Sequence, residues 1–332
     1  MRKYWLVLLQ GAFSVFLIWH IFSNPSLRSE VSRVLAAADP RWLGIGLLAA
    51  LLNESFAAVR WWLVLRAFGT PVGLGRVFLF CGAGIFFSLG LPGTAGGDAF
   101  RILYIIRLYP KKKLRASLSV LADRLCGLVS STLALSLSVG LRYPLFAHDP
   151  VTRQILMAAI ALLGGTLFLV FLWWLTTFPG IRTLWVPENM DSLRRRVSHL
   201  GYVFSGLTGR PGLIGAGILA SVGAIMAHFT TYFCSARAFT LPVSLEDIFT
   251  VMPVVDTLIV LPVTLFGIGL RETLFNQLLG SLFAIPSGAA TLTSLGGFGL
   301  QAAVALLGAF CVPFTTVEAA RIEGAKVKGG KV

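Results

Sequence analysis

Apolar residues fall along this chain in runs of two lengths. The long runs are Tyr4–Phe22, Leu43–Phe68, Ala116–Leu141, Ile155–Leu175, Leu213–Phe239 and Ser287–Phe310. Each has the roughly 20 residues that a helix needs to cross a bilayer core, so six spans are predicted. The shorter runs come in pairs, Val77–Leu91 with Phe100–Leu108, and Ile248–Leu261 with Glu272–Phe283. Each pair flanks a break rich in Pro and Gly, Pro92 to Gly97 and Pro262 to Gly269. This pattern predicts two re-entrant or broken-helix hairpins, whose non-helical tips must be satisfied by protein or by a wet cavity. The expected fold class is an all-α polytopic membrane protein with six full spans plus two hairpins, or eight crossings if the hairpins count as spans.

The chain also contains itself twice. Arg66-Ala67-Phe68 followed by Pro71-Val72 returns 171 residues later as Arg237-Ala238-Phe239 followed by Pro242-Val243. Leu91-Pro92-x-Thr94 returns as Leu261-Pro262-x-Thr264. In membrane proteins such a duplication often builds a transport pathway between two related halves. The whole chain, residues 1–332, reads as one transmembrane domain. Repeat one covers about 4–141, and repeat two about 152–175 plus 211–311. A cytoplasmic linker is expected at about 176–210 and a cytoplasmic tail at 312–332.

Positive charge sets the orientation. Arg107, Lys111–Lys113 and Arg115 follow the first hairpin; Arg182, Arg194–Arg196 and Arg210 fill the linker; Arg321, Lys326, Lys328 and Lys331 lie near Val332. With Arg2 and Lys3 they fall on one face if each hairpin enters and leaves by the same side, which predicts cytoplasmic termini in a cytoplasmic (inner) membrane. Leu43–Phe68 then runs inward and its copy Leu213–Phe239 outward, so the repeats are expected to be inverted. In the linker, Leu193, Val197, Leu200, Phe204 and Leu207 keep helical spacing beside three arginines, which suggests either a helix on the anionic membrane surface or a solvated connection.

Composition narrows the function classes. The chain is 56% hydrophobic and 13% charged, with a mean hydropathy of +0.82. The net charge of +14 sits mostly between apolar runs, as a topology signal does, so no nucleic-acid partner is expected. The N-terminal run exceeds a signal-peptide core and reads as a retained first helix. Cys81, Cys126, Cys234 and Cys311 lie inside apolar stretches without metal-ligand spacing, and no phosphate loop or His-Glu-x-x-His occurs. No metal or other cofactor is expected. His228 alone among the histidines lies deep in a span, where helix packing and function are both open. Trp61, Trp62, Trp173, Trp174 and Trp185 read as an interfacial aromatic belt.

The candidate chemistry sits at the two hairpins. In Pro92-x-x-x-Gly96-Gly97-Asp98-x-x-Arg101, proline ends one half-helix, glycines permit close backbone approach, and the next half-helix starts with its N–H groups unspent. Such an end, with an arginine one turn inside, suits a phosphate. In the plainer alternative Asp98 caps the helix and Arg101 snorkels. Gly267-x-Gly269-x-Arg271-Glu272 is the second-hairpin counterpart, either a ligand site or a salt-bridged helix start. Glu54 lies about 18 Å from either end of its helix, Asp123 and Arg124 a third of the way along theirs, and Asp256 inside the second hairpin. Charges at such depth need a partner or water. Glu54 with Arg124 is the first pairing expected, and Glu54 and Asp256 are candidates for ion pairing or ion coupling.

Three separated motifs carry a resemblance: Leu91-Pro92-Gly93-x-x-Gly96-Gly97-Asp98-x-x-Arg101, then Asp123-Arg124-Leu125-x-Gly127, then Gly267-x-Gly269-x-Arg271-Glu272. Over about residues 40–312 their order and spacing resemble the flippase-like transmembrane domain of lysylphosphatidylglycerol synthases. The resemblance implies a polytopic helical fold with inverted repeats and translocation of lipid between leaflets. The soluble aminoacyl-transfer domain of those synthases is not expected here, because the sequence ends at Val332. Thr293 and Ser294 stand where Asp123 and Arg124 would map, so the halves differ in charge.

The function expected from these signals is a flippase or scramblase for an anionic phospholipid, a glycolipid or a polyprenyl-phosphate-linked sugar, not an enzyme. Pro92, Gly96, Gly97, Asp98, Arg101, Asp123, Arg124, Gly267, Gly269, Arg271 and Glu272 would bind the substrate. The partners would be membrane lipids, and a separately encoded lipid-modifying enzyme is a further candidate. The alternatives are an integral-membrane transferase on a lipid-linked substrate, or a non-catalytic membrane partner of a separate glycosyltransferase or synthase.

Overall fold

Prolines open the long helices: Pro40, Pro150 and Pro211 each occupy a first helical position, where no N–H is needed. The computed structural model describes residues 38–89, 95–175, 210–260, 264 and 267–315. The expectations for Tyr4–Phe22, Pro92, Pro262, the linker helix, Trp185 and the terminal basic clusters lie outside these residues. Among the described residues the chain is helical, with no strand. The helices are α1 (Pro40–Ala67), α2 (Leu74–Ser88), α3 (Ala95–Leu108), α4 (Lys113–His148), α5 (Pro150–Leu175), α6 (Pro211–Ala238), α7 (Leu245–Ile259), α8 (Leu270–Phe283) and α9 (Ser287–Leu307). Short 3-10 turns at Pro110–Lys112 and Gly308–Phe310 extend α4 and α9.

Five of these helical runs are long and apolar enough to cross a membrane: Pro40–Ala67, Pro110–His148, Pro150–Phe168, Pro211–Ala238 and Ser287–Thr315. They coincide with five of the six spans expected from the sequence. Their outer faces are apolar; Leu137 is 61% exposed and Leu219 72%. A row of leucines facing outward fits lipid, not water. The chain is a multi-pass, all-α membrane protein. α2 and α7 have 15 residues and α3 and α8 have 14, about 22 Å each and too short to span alone.

The duplicated strings fold alike. After α1, Gly69 N–H donates to Arg66 O and Thr70 N–H to Leu65 O, at 3.2 and 3.0 Å. After α6, Thr240 N–H donates to Arg237 O and Leu241 N–H to Ala236 O, at 3.1 and 2.9 Å. Both turns need one residue at positive φ, Gly69 at 68° and Thr240 at 53°, as in a Schellman-type helix end. The valines that follow, Val72 and Val243, are both buried.

α1 and α6 pack along their lengths and run antiparallel. Asp39 N–H at the start of α1 donates to Ala238 O at the end of α6, 2.7 Å away. At the other end, the Arg210 guanidinium donates to Arg66 O at 2.8 Å. Small residues lie at the crossing: a Cβ on Gly46 of α1 would lie 3.1 Å from Cys234 Cβ of α6, and one on Gly223 of α6 would lie 3.0 Å from the Phe56 ring of α1. In lipid, close van der Waals packing of this kind is what holds helices together. The end near Arg66 is basic, with Arg76, Lys111, Lys112, Lys113 and Arg210 close by. Lys112 donates to Gly69 O at 3.0 Å, and the Tyr109 hydroxyl donates to Pro71 O.

Two larger apolar cores result, besides a small cluster of Val64, Phe68, Leu118, Ala122 and Cys126 between α1 and α4. One joins α1, α2, α3 and the start of α4 around Trp61, Phe80 and Ile105. The other joins the end of α4 with α5 to α9 around Tyr232, Met252 and Phe275. Trp61 is fully buried, not interfacial as the belt pattern suggests, because Arg101 and Ser119 engage its indole.

At the α2–α3 contact, a Cβ on Gly97 would lie 2.8 Å from the Gly84 carbonyl oxygen and 2.4 Å from Ser88 Oγ. Gly97 therefore serves helix packing; helix α2 fills the space that the sequence pattern reserves for a ligand. Gly97→Ala should destabilise the protein by about 1–3 kcal/mol through overpacking, seen as a lower unfolding midpoint in detergent. Gly140→Ala, where nothing lies within 4 Å, should leave the midpoint unchanged or raise it.

Candidate functional site

α1, α3 and α4 bring five charged side chains into one connected network. Asp123 on α4 is fully buried. Its Oδ1 accepts from Arg60 Nε at 2.6 Å, and its Oδ2 from Arg60 Nη2 at 3.2 Å and Arg101 Nη1 at 3.3 Å. Arg124, the next residue on α4, points about 100° further round the helix. It donates Nε and Nη2 to the two oxygens of Asp98, at 2.8 and 2.7 Å. Asp98 Oδ1 lies 4.0 Å from Arg101 Nη1 and closes the chain.

Two expectations are corrected here. Asp98 sits in the first turn of α3, where an acid is favoured by the helix dipole. It does not cap the helix, because it is the fourth residue of α3 and not the one before it; its oxygens accept the bidentate Arg124 pair instead. Arg124 pairs with Asp98 and not with Glu54, since α3 presents Asp98 directly to that fork. Among the described residues, Glu54 has no hydrogen bond or ion pair.

Beside this network lies a cavity of about 380 Å³ lined from α1, α2, α3, α4, α6 and α9. Glu54, Arg60, Arg101 and Arg124 reach its wall, and the polar lining also includes Asn53, His228 and Gln301. Ile85, Ile225 and Phe298 supply apolar surface. Arg101 is buried over the Trp61 ring, 5.3 Å from its centroid, and its Nε has no hydrogen-bond partner among the described residues. Arg60 Nη1 reaches Ser221 Oγ on α6 at 3.5 Å. The arrangement holds guanidinium groups at fixed positions around a space of headgroup size.

The second half contributes differently. Gly267 and Gly269 adopt positive φ, 73° and 87°, in the turn before α8. Glu272 is buried; it accepts from Gly269 N–H at 2.5 Å and from Ser294 Oγ at 2.8 Å. Arg271 is buried over the Phe298 ring, 4.9 Å from its centroid. Phe298 lines the cavity, whereas Arg271, Glu272, Gly267 and Gly269 do not. Gly96 and Gly97 are buried in the first turn of α3, away from the lining. Asp256 on α7 pairs with His228 Nε2, at 3.1 and 3.3 Å, and Gln301 Nε2 lies 2.7 Å from His228 Nδ1.

The sequence pattern brings Asp98, Arg101, Asp123 and Arg124 together correctly, but it does not single out Arg60 or Gln301. Arg60 carried a signal, a second charge in the same apolar span as Glu54. Gln301 carried none.

Helices that span, a polar cavity among them, and buried arginines on its wall define an integral membrane protein with an internal polar site. The family model described as "Lysylphosphatidylglycerol synthase TM region" matches residues 7–308, and the chain belongs to that family. Membership ties the protein to membranes and lipid modification. No curated protein matches the chain.

The network makes a graded prediction. Asp123→Asn strips the shared partner from two buried guanidiniums and should cost about 3–5 kcal/mol. Asp98→Asn releases Arg124, whose side chain is 44% exposed, and should cost about 1 kcal/mol or less. Unfolding midpoints of the two purified variants check the order.

Proposed function

We propose that this protein moves lipid between leaflets, as a flippase or scramblase. The observation that carries the reading is the cavity of about 380 Å³ walled by Arg60, Arg101 and Arg124 inside the spanning bundle. A phosphate-bearing headgroup entering it would exchange its water for fixed guanidinium donors, while its tails stay in lipid. An anionic phospholipid, a glycolipid and a polyprenyl-phosphate-linked sugar all share that chemistry. Arg271 is a reserve contact behind Phe298, and Glu54 and Asp256 are candidates for coupling to an ion.

The two halves would act as inverted repeats. Their matched helix ends, the equal lengths of α1 and α6, α2 and α7, and α3 and α8, and the antiparallel run of α1 and α6 support this. The short pairs α2–α3 and α7–α8 would be hairpins entering from opposite faces. The basic end around Arg66, Lys112 and Arg210 would face the cytoplasm, with both termini, in a cytoplasmic membrane. Movement would then follow from rocking of one half against the other.

A membrane-embedded transferase is the second reading, favoured by Glu54, a carboxylate facing the cavity without an ion-pair partner among the described residues. Radiolabelled lipid-linked sugar turned over by the purified protein would establish it.

Reconstitution in liposomes with fluorescent phosphatidylglycerol or glycolipid, with dithionite reporting leaflet exchange, tests translocation. Protein-dependent exchange is expected. Arg101→Ala should slow it by about tenfold or more, the worth of a lost charge-assisted hydrogen bond. Absence of exchange for every anionic or glycosylated lipid overturns the function. Exchange untouched by Arg101→Ala and Arg271→Ala overturns the site.

A further inference from the structure

The geometry points to a proton-binding site formed by His228, Asp256 and Gln301, coupled to the headgroup cavity; it rests on the translocation reading. His228 bridges three helices: its own α6, α7 through Asp256, and α9 through Gln301. His228 and Gln301 line the cavity, while Asp256 stands behind them. Both ring nitrogens are engaged. Nε2 faces a carboxylate, which only accepts, so Nε2 carries a proton.

The state of Nδ1 then depends on the Gln301 amide. With the amide nitrogen toward it, as here, Nδ1 accepts and the ring is neutral. With the amide oxygen toward it, Nδ1 donates and the ring is an imidazolium. A half-turn of the amide exchanges the two without changing its shape. The site can therefore take a proton from cavity water onto Nδ1 and return it while the packing of α6, α7 and α9 is kept.

The surrounding charges explain why this matters to a headgroup. Glu54 and Arg60 share the cavity wall with His228 from α1, Arg124 from α4 and Arg101 from α3, and Asp123 stands behind them, bound to Arg60 and Arg101. Asp256 faces it from α7, and α9 presents the uncharged Gln301. Arg271 and Glu272 on α8 sit beyond Tyr232, the ring edge-on to His228 at 5.3 Å. Three arginines balance Glu54, Asp98 and Asp123, so Asp256 leaves one negative charge in excess while His228 is neutral. Protonation cancels it. An anionic headgroup therefore binds the protonated state more tightly, and by reciprocity its binding draws a proton onto His228. Substrate and proton load together, which supplies an energy source for uphill transport.

The test is ¹⁵N NMR of histidine-labelled protein in nanodiscs of phosphatidylcholine or phosphatidylglycerol, with the His228 signal assigned by loss in His228→Asn. Lowering the pH should convert Nδ1 from unprotonated to protonated. The conversion should come at higher pH in phosphatidylglycerol than in phosphatidylcholine. Gln301→Glu, a fixed acceptor, should hold the imidazolium throughout the titration. It should also remove the pH dependence of lipid exchange in liposomes. An Nδ1 that never titrates, or titrates identically in both lipids, overturns the proposal. Exchange that persists without titration sinks the proton site alone, whereas titration without exchange of any lipid sinks the translocation reading.

Discussion

Asp123 is the constraint on which the polar centre depends. A carboxylate with no solvent contact is tolerated only if its charge is matched and its lone pairs are used. Arg60 and Arg101 do both, and they come from helices on either side of α4. Satisfying one carboxylate thus fixes the mutual register of α1, α3 and α4. Once that register is set, Arg124 meets Asp98, and the unspent face of Arg101 turns toward the cavity. The arginines are fixed before any ligand arrives, so little reorganisation is needed to bind one.

The apolar scaffold works toward the same end by a different route. Lipid gives helices no hydrophobic reason to associate, so packing must come from close approach of small residues. Gly46 and Gly223 allow α1 and α6 to approach closely. The apolar cores then form on either side of that crossing. The cavity collects polar side chains and is edged by Ile225, which packs against the core around Tyr232.

Much of this frame was legible in the sequence. The long apolar runs marked five described spans to within seven residues at each end, because length and hydropathy are direct consequences of crossing a bilayer. The string Arg-Ala-Phe marked two matching helix ends, because a left-handed residue must follow each. Partners were harder to read. Periodicity places Glu54 and Arg124 at similar depths but does not say which residues face each, so the pairing of Arg124 with Asp98 of α3 was not foreseen. Trp61 looked interfacial because it is close to a span end; only the position of Arg101 and Ser119 reveals that it is enclosed. Arg60 and Gln301 belong to no motif, and their roles exist only through contacts between helices distant in sequence.

A Cβ on Gly308, just beyond α9, would lie 2.2 Å from the Gly82 carbonyl oxygen of α2, and one on Gly82 would lie 2.6 Å from Cys311 Sγ. Backbone rests directly on backbone there, with no side chain between to act as a bearing. α2 belongs by sequence to the first copy of the duplication, yet at this point it is keyed into the end of the second. The packing there joins α2 to the end of α9, across the two halves that the matching sequence strings mark out.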